Sequence, residues 1–319
     1  LSEIPRQGTF LRKKETKNWL YAGIPENPTL VDFGHCSGHT ENVMGAENQQ
    51  ETSKNFYYSG FSVGELSCSI LKLHNRKSKN GGIYYTPDLT ISNADKKLLQ
   101  DIDKVCGNNL GVITKIKGGF NLSFRGKKKV KQLLSFFDNY PSIAGDLTQS
   151  KIEIIRNAIS VIEDERTYKR SLKTLNQLEE YREKLKTIKQ SGLAEKSFTI
   201  QTRSRSDIGY FLSGIFDAEG SVGMKRSGER LQPFAAIAMK DKEIIVLFRD
   251  FIGFGNIRFR PREHVYHWEV GSISGVLKVI EIFQNKFPDK LMKMKLRMER
   301  VRRILNDYTP NPHKNGVMI

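Results

Sequence analysis

Two stretches of this chain can be laid on one another. Tyr57 to Ser69 reads YYSGFSVGELSCS, and Tyr210 to Gly223 reads YFLSGIFDAEGSVG. With Ser59-Gly60 set on Ser213-Gly214, Glu65 falls on Glu219 and Ser67 on Ser221. Each stretch is an apolar helix with one nearly bare face. Ser59, Gly60 and Gly64 form that face in the first copy; Ser213, Gly214 and Ala218 form it in the second. Residues four apart share a helix face, and small residues there let two helices meet backbone to backbone. Each helix then closes on an acid, the wrong charge for a helix C-terminus unless a cation answers it. Gly220 suits a left-handed cap after the second helix. Packing the two bare faces together would set Glu65 beside Glu219. Paired carboxylates are what two-metal phosphodiester hydrolysis requires, with cations clamping the attacking and leaving oxygens. Chance acids on two core helices are the plainer reading, and in-register repetition argues against it.

The order of elements repeats as well. After the first motif, the pattern predicts strands at Ser67–His74 and Ile83–Ile91 around a basic turn. A helix opens at Asp95 with Asn93 as its N-cap. Strands follow at Leu110–Lys117 and Phe120–Arg125, then helices at Lys127–Asn139 and Gln149–Asp164. The second half predicts strands near Ser221–Arg226 and Gln232–Lys240, and a helix from Asp241. Strands at Gly255–Arg260 and Val265–Gly271 come next, then helices at Ser274–Lys286 and Leu291–Asp307. The expected fold class is α+β: two pseudo-symmetric αββαββα repeats whose antiparallel sheets are covered by helices on one face. The expected division is an irregular or disordered extension at 1–52, a first repeat at 53–164 and a charged, partly helical linker at 165–205. A second repeat at 206–308 and a tail at 309–319 complete it. The linker's apolar heptads are too short for a coiled coil.

Leu212 to Gly220, LSGIFDAEG, resembles the LAGLIDADG motif of homing endonucleases, and Tyr58 to Leu66 resembles a worn first copy. The first copy departs from the pattern with Val63 in place of Asp217 and Leu66 in place of Gly220. The resemblance implies a monomeric, two-motif endonuclease cutting double-stranded DNA with Mg²⁺ or Mn²⁺. Its antiparallel sheets would form a DNA-binding saddle. Glu65 and Glu219 would be the catalytic, metal-binding acids, with Leu66 and Gly220 beside them in the metal site. The family keeps a lysine near the scissile phosphate, which makes Lys295 or Lys290 a further catalytic candidate. The second strands end near Asn93 and Met239, close by the resemblance to the active site, and Met239 offers no polar group there.

Alternation identifies the sheet face that would read DNA. Phe120, Leu122 and Phe124 alternate with Asn121, Ser123 and Arg125; Ile257 and Phe259 alternate with Asn256, Arg258 and Arg260. With Lys115 and Lys117 flanking Ile116, and Lys225 and Arg226 after the second motif, these ten polar and basic residues are the candidate DNA contacts. On the first strand, Leu71 and Leu73 alternate with Lys72 and His74, and either side could face out.

Charge points the same way. A formal net charge of +17 suits a polyanion. No apolar run approaches a membrane span, so no membrane partner is expected. Three scattered cysteines, Cys36, Cys68 and Cys106, suggest a reducing compartment without disulfides. His35-Cys36-Ser37-Gly38-His39 is a poor tetrahedral zinc site. No secretory segment stands out, so an intracellular protein is expected. The Lys-, Asn- and Ile-rich composition hints at an AT-rich genome, hence a mitochondrion or plastid, and the resemblance favours an intron-encoded protein. The chain opens on Leu1, as a fragment would, or a reading frame continuous with upstream coding sequence. Two other readings stay open: a maturase whose partner is host intron RNA, and a DNA-binding regulator that has lost the chemistry.

Overall fold

The computed structural model describes residues 52–74, 82–164, 170–194, 202–228, 230–288 and 290–306. The expectations for 1–51, including the His35–His39 cluster, and for the tail lie outside the described residues. The first repeat begins with α1 (Phe56–Glu65), followed by β1 (Leu66–His74) and β2 (Ile83–Asn93). Then come α2 (Lys96–Cys106), β3 (Val112–Ile116), β4 (Gly119–Arg125), α3 (Lys127–Asn139) and α4 (Asp146–Asp164). Helix α5 (Leu172–Ser191) lies between the repeats. The second repeat runs α6 (Arg205–Glu219), β5 (Gly220–Ser227), β6 (Arg230–Met239) and α7 (Lys242–Ile252). It continues with β7 (Asn256–Arg260), β8 (Val265–Val270), α8 (Ile273–Glu281) passing into a π turn at Ile282–Lys286, and α9 (Met292–Asn306).

Each repeat holds one four-stranded antiparallel sheet, ordered β1-β2-β4-β3 in the first and β5-β6-β8-β7 in the second. The fold is therefore α+β with two matching repeats. Alternation sends Leu89, Ile91, Leu122 and Phe124 to the helix side, against Leu98, Leu99 and Ile102 of α2, and all of these are buried. In the second repeat Trp268 fills the same layer. Its indole lies 4.8 Å from the ring of Phe248, and its N–H donates to the Phe254 carbonyl at 2.9 Å. That bond satisfies the one polar atom of a fully buried tryptophan. None of the described helices is long and apolar enough to cross a membrane.

Local chemistry explains most of the boundaries and corrects two of them. Asp95, not Asn93, caps α2: its carboxylate accepts from the N–H groups of Lys97 and Leu98. Helix α4 starts at Asp146, earlier than the expected Gln149. Ser171 and Gly192 cap the two ends of α5, the glycine at φ 65° as a left-handed cap requires. Within the expected linker, residues 172–191 form this helix, which buries Leu178, Leu185 and Ile188. Its Glu179 accepts a hydrogen bond from Tyr85 and pairs with Lys72 at 3.0 Å. That contact answers the open question about β1: Lys72, opposite Tyr85 in the register, lies on the helix side, and Leu71 and Leu73 lie on the other.

Candidate active site and nucleic-acid interface

Helices α1 and α6 cross with almost nothing between them. A Cβ placed on Gly60 would lie 1.8 Å from the carbonyl oxygen of Phe211, and one on Gly214 would lie 2.0 Å from that of Tyr57. Backbone meets backbone at both points, so only glycine fits. One turn on, a Cβ on Gly64 would lie 2.6 Å from the Ala218 methyl and 3.1 Å from Cγ of Glu219. Ser59 and Ser213 are buried in the same seam. Of the six small residues expected at this interface, Gly60, Gly64, Gly214 and Ala218 are the ones whose close approach is direct.

The seam carries Glu65 and Glu219, each the last residue of its helix, to one place. Burial raises both carboxyls above their ordinary range. Glu65 reaches about 7, pushed first by burial and then by the charge of Glu219, while a hydrogen bond from Asn93 pulls it back. A cavity of about 490 Å³ opens beside Glu65, lined among others by Ser92, Asn93, Asp217, Lys293 and Arg297.

Position 220 and its counterpart differ from expectation. Gly220 has φ −77°, an extended conformation open to any residue, so no left-handed cap is present. Glycine is needed there for room: a Cβ would meet the carbonyl oxygen of Phe216 at 2.3 Å and its ring at 2.6 Å. In the first repeat the corresponding residues are Ser62 and Leu66, with Leu66 buried and extended at φ −74°. A large residue followed by glycine has become a small residue followed by leucine, and the helix end that carries Glu65 keeps its form.

Asp217, the inner acid of the second motif, is a cap. Its Oδ2 accepts from Tyr57 Oη at 2.5 Å and from the N–H groups of Lys290 and Leu291 at 2.8 Å each, just ahead of α9. Val63 offers no such group. In the first repeat the N–H of Leu147, in the first turn of α4, is answered instead by Asp241, at 3.0 Å from the other repeat, and Thr148 donates to the Val63 carbonyl at 3.3 Å. Asp217 thus holds a helix end in the second repeat, and Asp241 serves the matching end in the first.

Of the two candidate lysines, Lys290 is a correction. Its ammonium donates to Tyr58 Oη at 2.7 Å and sits over the Tyr58 ring, 4.1 Å from the centroid. Lys295 lies close enough to Asp217 for its charge to favour that carboxylate. The cations that line the Glu65 cavity are Lys293 and Arg297. Lys293 stood among three lysines within six positions, and helix phase alone does not choose between them. Arg297 lay a turn beyond that cluster.

The sheets' outer faces sort the candidate DNA contacts. Directly paired residues share a face. Asn121 pairs with Ser92 and Thr114, Ser123 with Thr90 and Val112, and Arg125 with Asp88, so these lie together opposite the helices. Lys115 pairs with Phe120, which places it on the helix side, and Lys117 lies in the turn beyond β3. In the second sheet Asn256, Arg258 and Arg260 pair with Glu269, His267 and Val265 on the outer face, and Lys225 joins them through an ion pair with Glu269. Arg226 pairs with Leu231 on the opposite face. Lys115 and Arg226 are therefore corrections, since a one-residue step along a strand changes the face.

The donors at the seam fit a hard divalent cation: two neighbouring carboxylates offer hard oxygen ligands. Leu66 and Gly220 could add only backbone oxygens. Among the described residues no group of three or more His, Cys, Asp or Glu side chains converges on a metal position. Beyond these carboxylates and backbone oxygens, further ligands would be phosphate or water oxygens.

Two helices seamed through glycine, each ending in a carboxylate and each feeding a four-stranded sheet, define a two-repeat protein with one shared acidic centre. The family model for LAGLIDADG endonucleases matches residues 58–152 and 212–296, and the chain belongs to that family. Among solved structures, the LAGLIDADG homing endonuclease I-GzeII in complex with a DNA target is 18% identical, with a TM-score of 0.64 over 79% of this chain and 89% of that one. The meganuclease I-CpaMI bound to uncleaved DNA is 19% identical, with a TM-score of 0.64 over 79% and 90%. I-SmaMI bound to an uncleaved DNA target in the presence of calcium ions is 17% identical, with a TM-score of 0.63 over 79% and 90%. At these identities the likeness is one of fold. Comparison with curated proteins found no match.

Proposed function

We propose that this protein is a site-specific endonuclease of double-stranded DNA that hydrolyses one phosphodiester in each strand of a long asymmetric target. The observation that carries this reading is the pairing of Glu65 and Glu219 at the end of a seam where Gly60 and Gly214 bring backbone against backbone. A pure binding protein gains nothing from two acids facing phosphate. The sheets' outer faces supply the platform: Asn121, Ser123 and Arg125 in one repeat, and Lys225, Asn256, Arg258 and Arg260 in the other. A two-stranded ribbon fits the major groove, and the two faces differ, so each repeat would read its own half-site as a monomer.

Glu65 and Glu219 are set to hold divalent cations, Mg²⁺ or Mn²⁺, which when bound would supply positive charge and an acidified water. The chain's own part is to fix the two carboxylates, exclude bulk water at the seam, and place Lys293 and Arg297 where negative charge gathers on the phosphate. The test is exposure of the protein to a randomised duplex library with Mg²⁺. One long asymmetric sequence cut in both strands is the expected result. Intact library DNA, with tight binding to structured RNA, would overturn the reading in favour of a maturase.

A further inference from the structure

We propose that the first repeat reads its half of the DNA target through the methyl groups of thymine, met by Leu71, Val112 and Ile116. The half-site under the first sheet is then rich in thymine, and the half-site under the second has no such requirement. This rests on the endonuclease reading and adds the bases that one half of its target must contain.

The two sheets can be laid on one another through their register. Ile113 pairs with Leu122, and Leu122 with Ile91; Ile257 pairs with Trp268, and Trp268 with Ile237. Leu122, Ile91, Trp268 and Ile237 are all buried, so the two rows are equivalent. Counted from them, Val112, Thr114 and Ile116 on the outer face of β3 correspond to Asn256, Arg258 and Arg260 on β7. On the other edge of each sheet, Leu66 and Gly220 pair with Ile91 and Ile237, which makes Leu71 the counterpart of Lys225. At these four positions the second repeat carries an amide and three cations. The first carries three aliphatic side chains and a threonine.

Burial does not account for these side chains. Val112 is 48% exposed and Ile116 41%, on the face opposite the helices. The polar groups between the two edges are engaged with one another. Ser92 Oγ donates to Asn121 Oδ1 at 2.8 Å, the hydroxyls of Thr90 and Ser123 lie 3.2 Å apart, and Arg125 pairs with Asp88 at 3.3 Å. Among the described residues of these strands, Arg125 is the one cation on this face. Leu71 on β1 and the Val112–Ile116 pair on β3 stand at opposite edges of the sheet, three strand spacings or about 14 Å apart. A protein partner would call for a continuous apolar patch. Separate aliphatic points fit separate methyl groups.

The major groove holds one kind of apolar group. Every base edge there offers donors or acceptors, and thymine alone adds a methyl, at C5. An arginine can answer N7 and O6 of guanine. A valine or isoleucine in the same place answers neither, and leaves those acceptors without water or a partner. Against thymine the same side chain takes the methyl out of water and strands no polar atom. Thr114, between Val112 and Ile116 on that face, carries a methyl for the same use and a hydroxyl for a neighbouring base edge.

The test uses the full chain and a target selected by binding from a randomised duplex library without Mg²⁺. Deoxyuridine then replaces thymidine in one half of that target at a time; it pairs as thymidine does and lacks only the methyl. In one half the replacement should weaken binding about 4-fold for each methyl in contact. In the other half it should leave the Kd unchanged. The double variant Val112→Ala, Ile116→Ala loses only exposed methyl groups, so its Tm should hold. It should bind the thymine and uracil duplexes more nearly alike than the unmutated protein does. Equal affinity of the unmutated protein for the two duplexes, or a methyl dependence that the double variant keeps in full, would overturn the inference. Cutting of the same target on addition of Mg²⁺ would then leave the endonuclease reading standing. Dimers of the free protein that sediment as such and are lost in the double variant would overturn the inference in favour of a second copy on this face. Failure to bind any duplex above the library background would overturn both.

Discussion

At the scale of single residues, the acidic pair sets a pH dependence that can be measured without DNA. Glu65 has an ordinary value of 4.5 and is raised to about 7 in the fold. A carboxyl raised on folding favours the native state only while protonated. Its contribution is complete below the unfolded value and disappears as pH climbs through the folded one. Glu219 and Asp241 are shifted the same way. Without divalent cations, Glu65→Gln should therefore match the unmutated protein near pH 4.5 and exceed its Tm above about 7. Added Ca²⁺ or Mg²⁺ should raise the Tm of the unmutated protein at pH 8 and do less for the variant. A gap in Tm that is the same at both ends of the pH range would contradict the assignment of Glu65 as a carboxyl raised by partial burial and by its neighbour Glu219.

At the scale of elements, the seam between α1 and α6 dictates the fold. Gly60→Ala or Gly214→Ala would drive a methyl group into a backbone carbonyl, at 1.8 or 2.0 Å. The helices would have to part, at a cost of about 3 kcal/mol or more, the upper end of overpacking. Gly118→Ala, at a turn with nothing within 4 Å of the new methyl, has only its φ of 87° to strain, so chemical denaturation should rank it well below the other two. The seam was legible in the sequence because its signal is local: small residues four apart and an acid at the end, twice. The sheet faces were legible where apolar and polar residues alternate cleanly, as from Phe120 to Arg125. They were not where lysines flank a single isoleucine, because Lys115 and Lys117 carry no mark of register. Asp95 and Asn93 are both cap formers two positions apart, and propensity does not rank them. The cap that Asp217 lends to the start of α9, and the one that Asp241 lends across repeats to Leu147, are contacts between residues distant in sequence. Nothing in either neighbourhood announces them.

At the scale of the whole molecule, the repeats share an outline and differ in chemistry. The outer face of the second sheet shows exposed Arg258, while Arg260 pairs with Glu263 at 3.7 Å and, in the first sheet, Arg125 pairs with Asp88 at 3.3 Å. The excess charge of +17 makes DNA affinity salt-dependent, and that dependence should be divided unevenly. Arg258→Ala should reduce the slope of log affinity against log salt by about 1 where it contacts phosphate. Arg125→Ala and Arg260→Ala, each already paired with a carboxylate, should change it less. Equal slopes for all three would mean that the faces are electrostatically alike on DNA.

The central claim is that Glu65 and Glu219 together form one centre for cutting DNA. It is tested most directly by Glu65→Gln and Glu219→Gln, each incubated with Mg²⁺ and the selected target beside the unmutated protein. Both substitutions keep the shape of the seam and remove one charge. Loss of double-strand cleavage in each variant, with target binding retained, is the predicted result. Double-strand cleavage by either one at the rate of the unmutated protein would contradict the account.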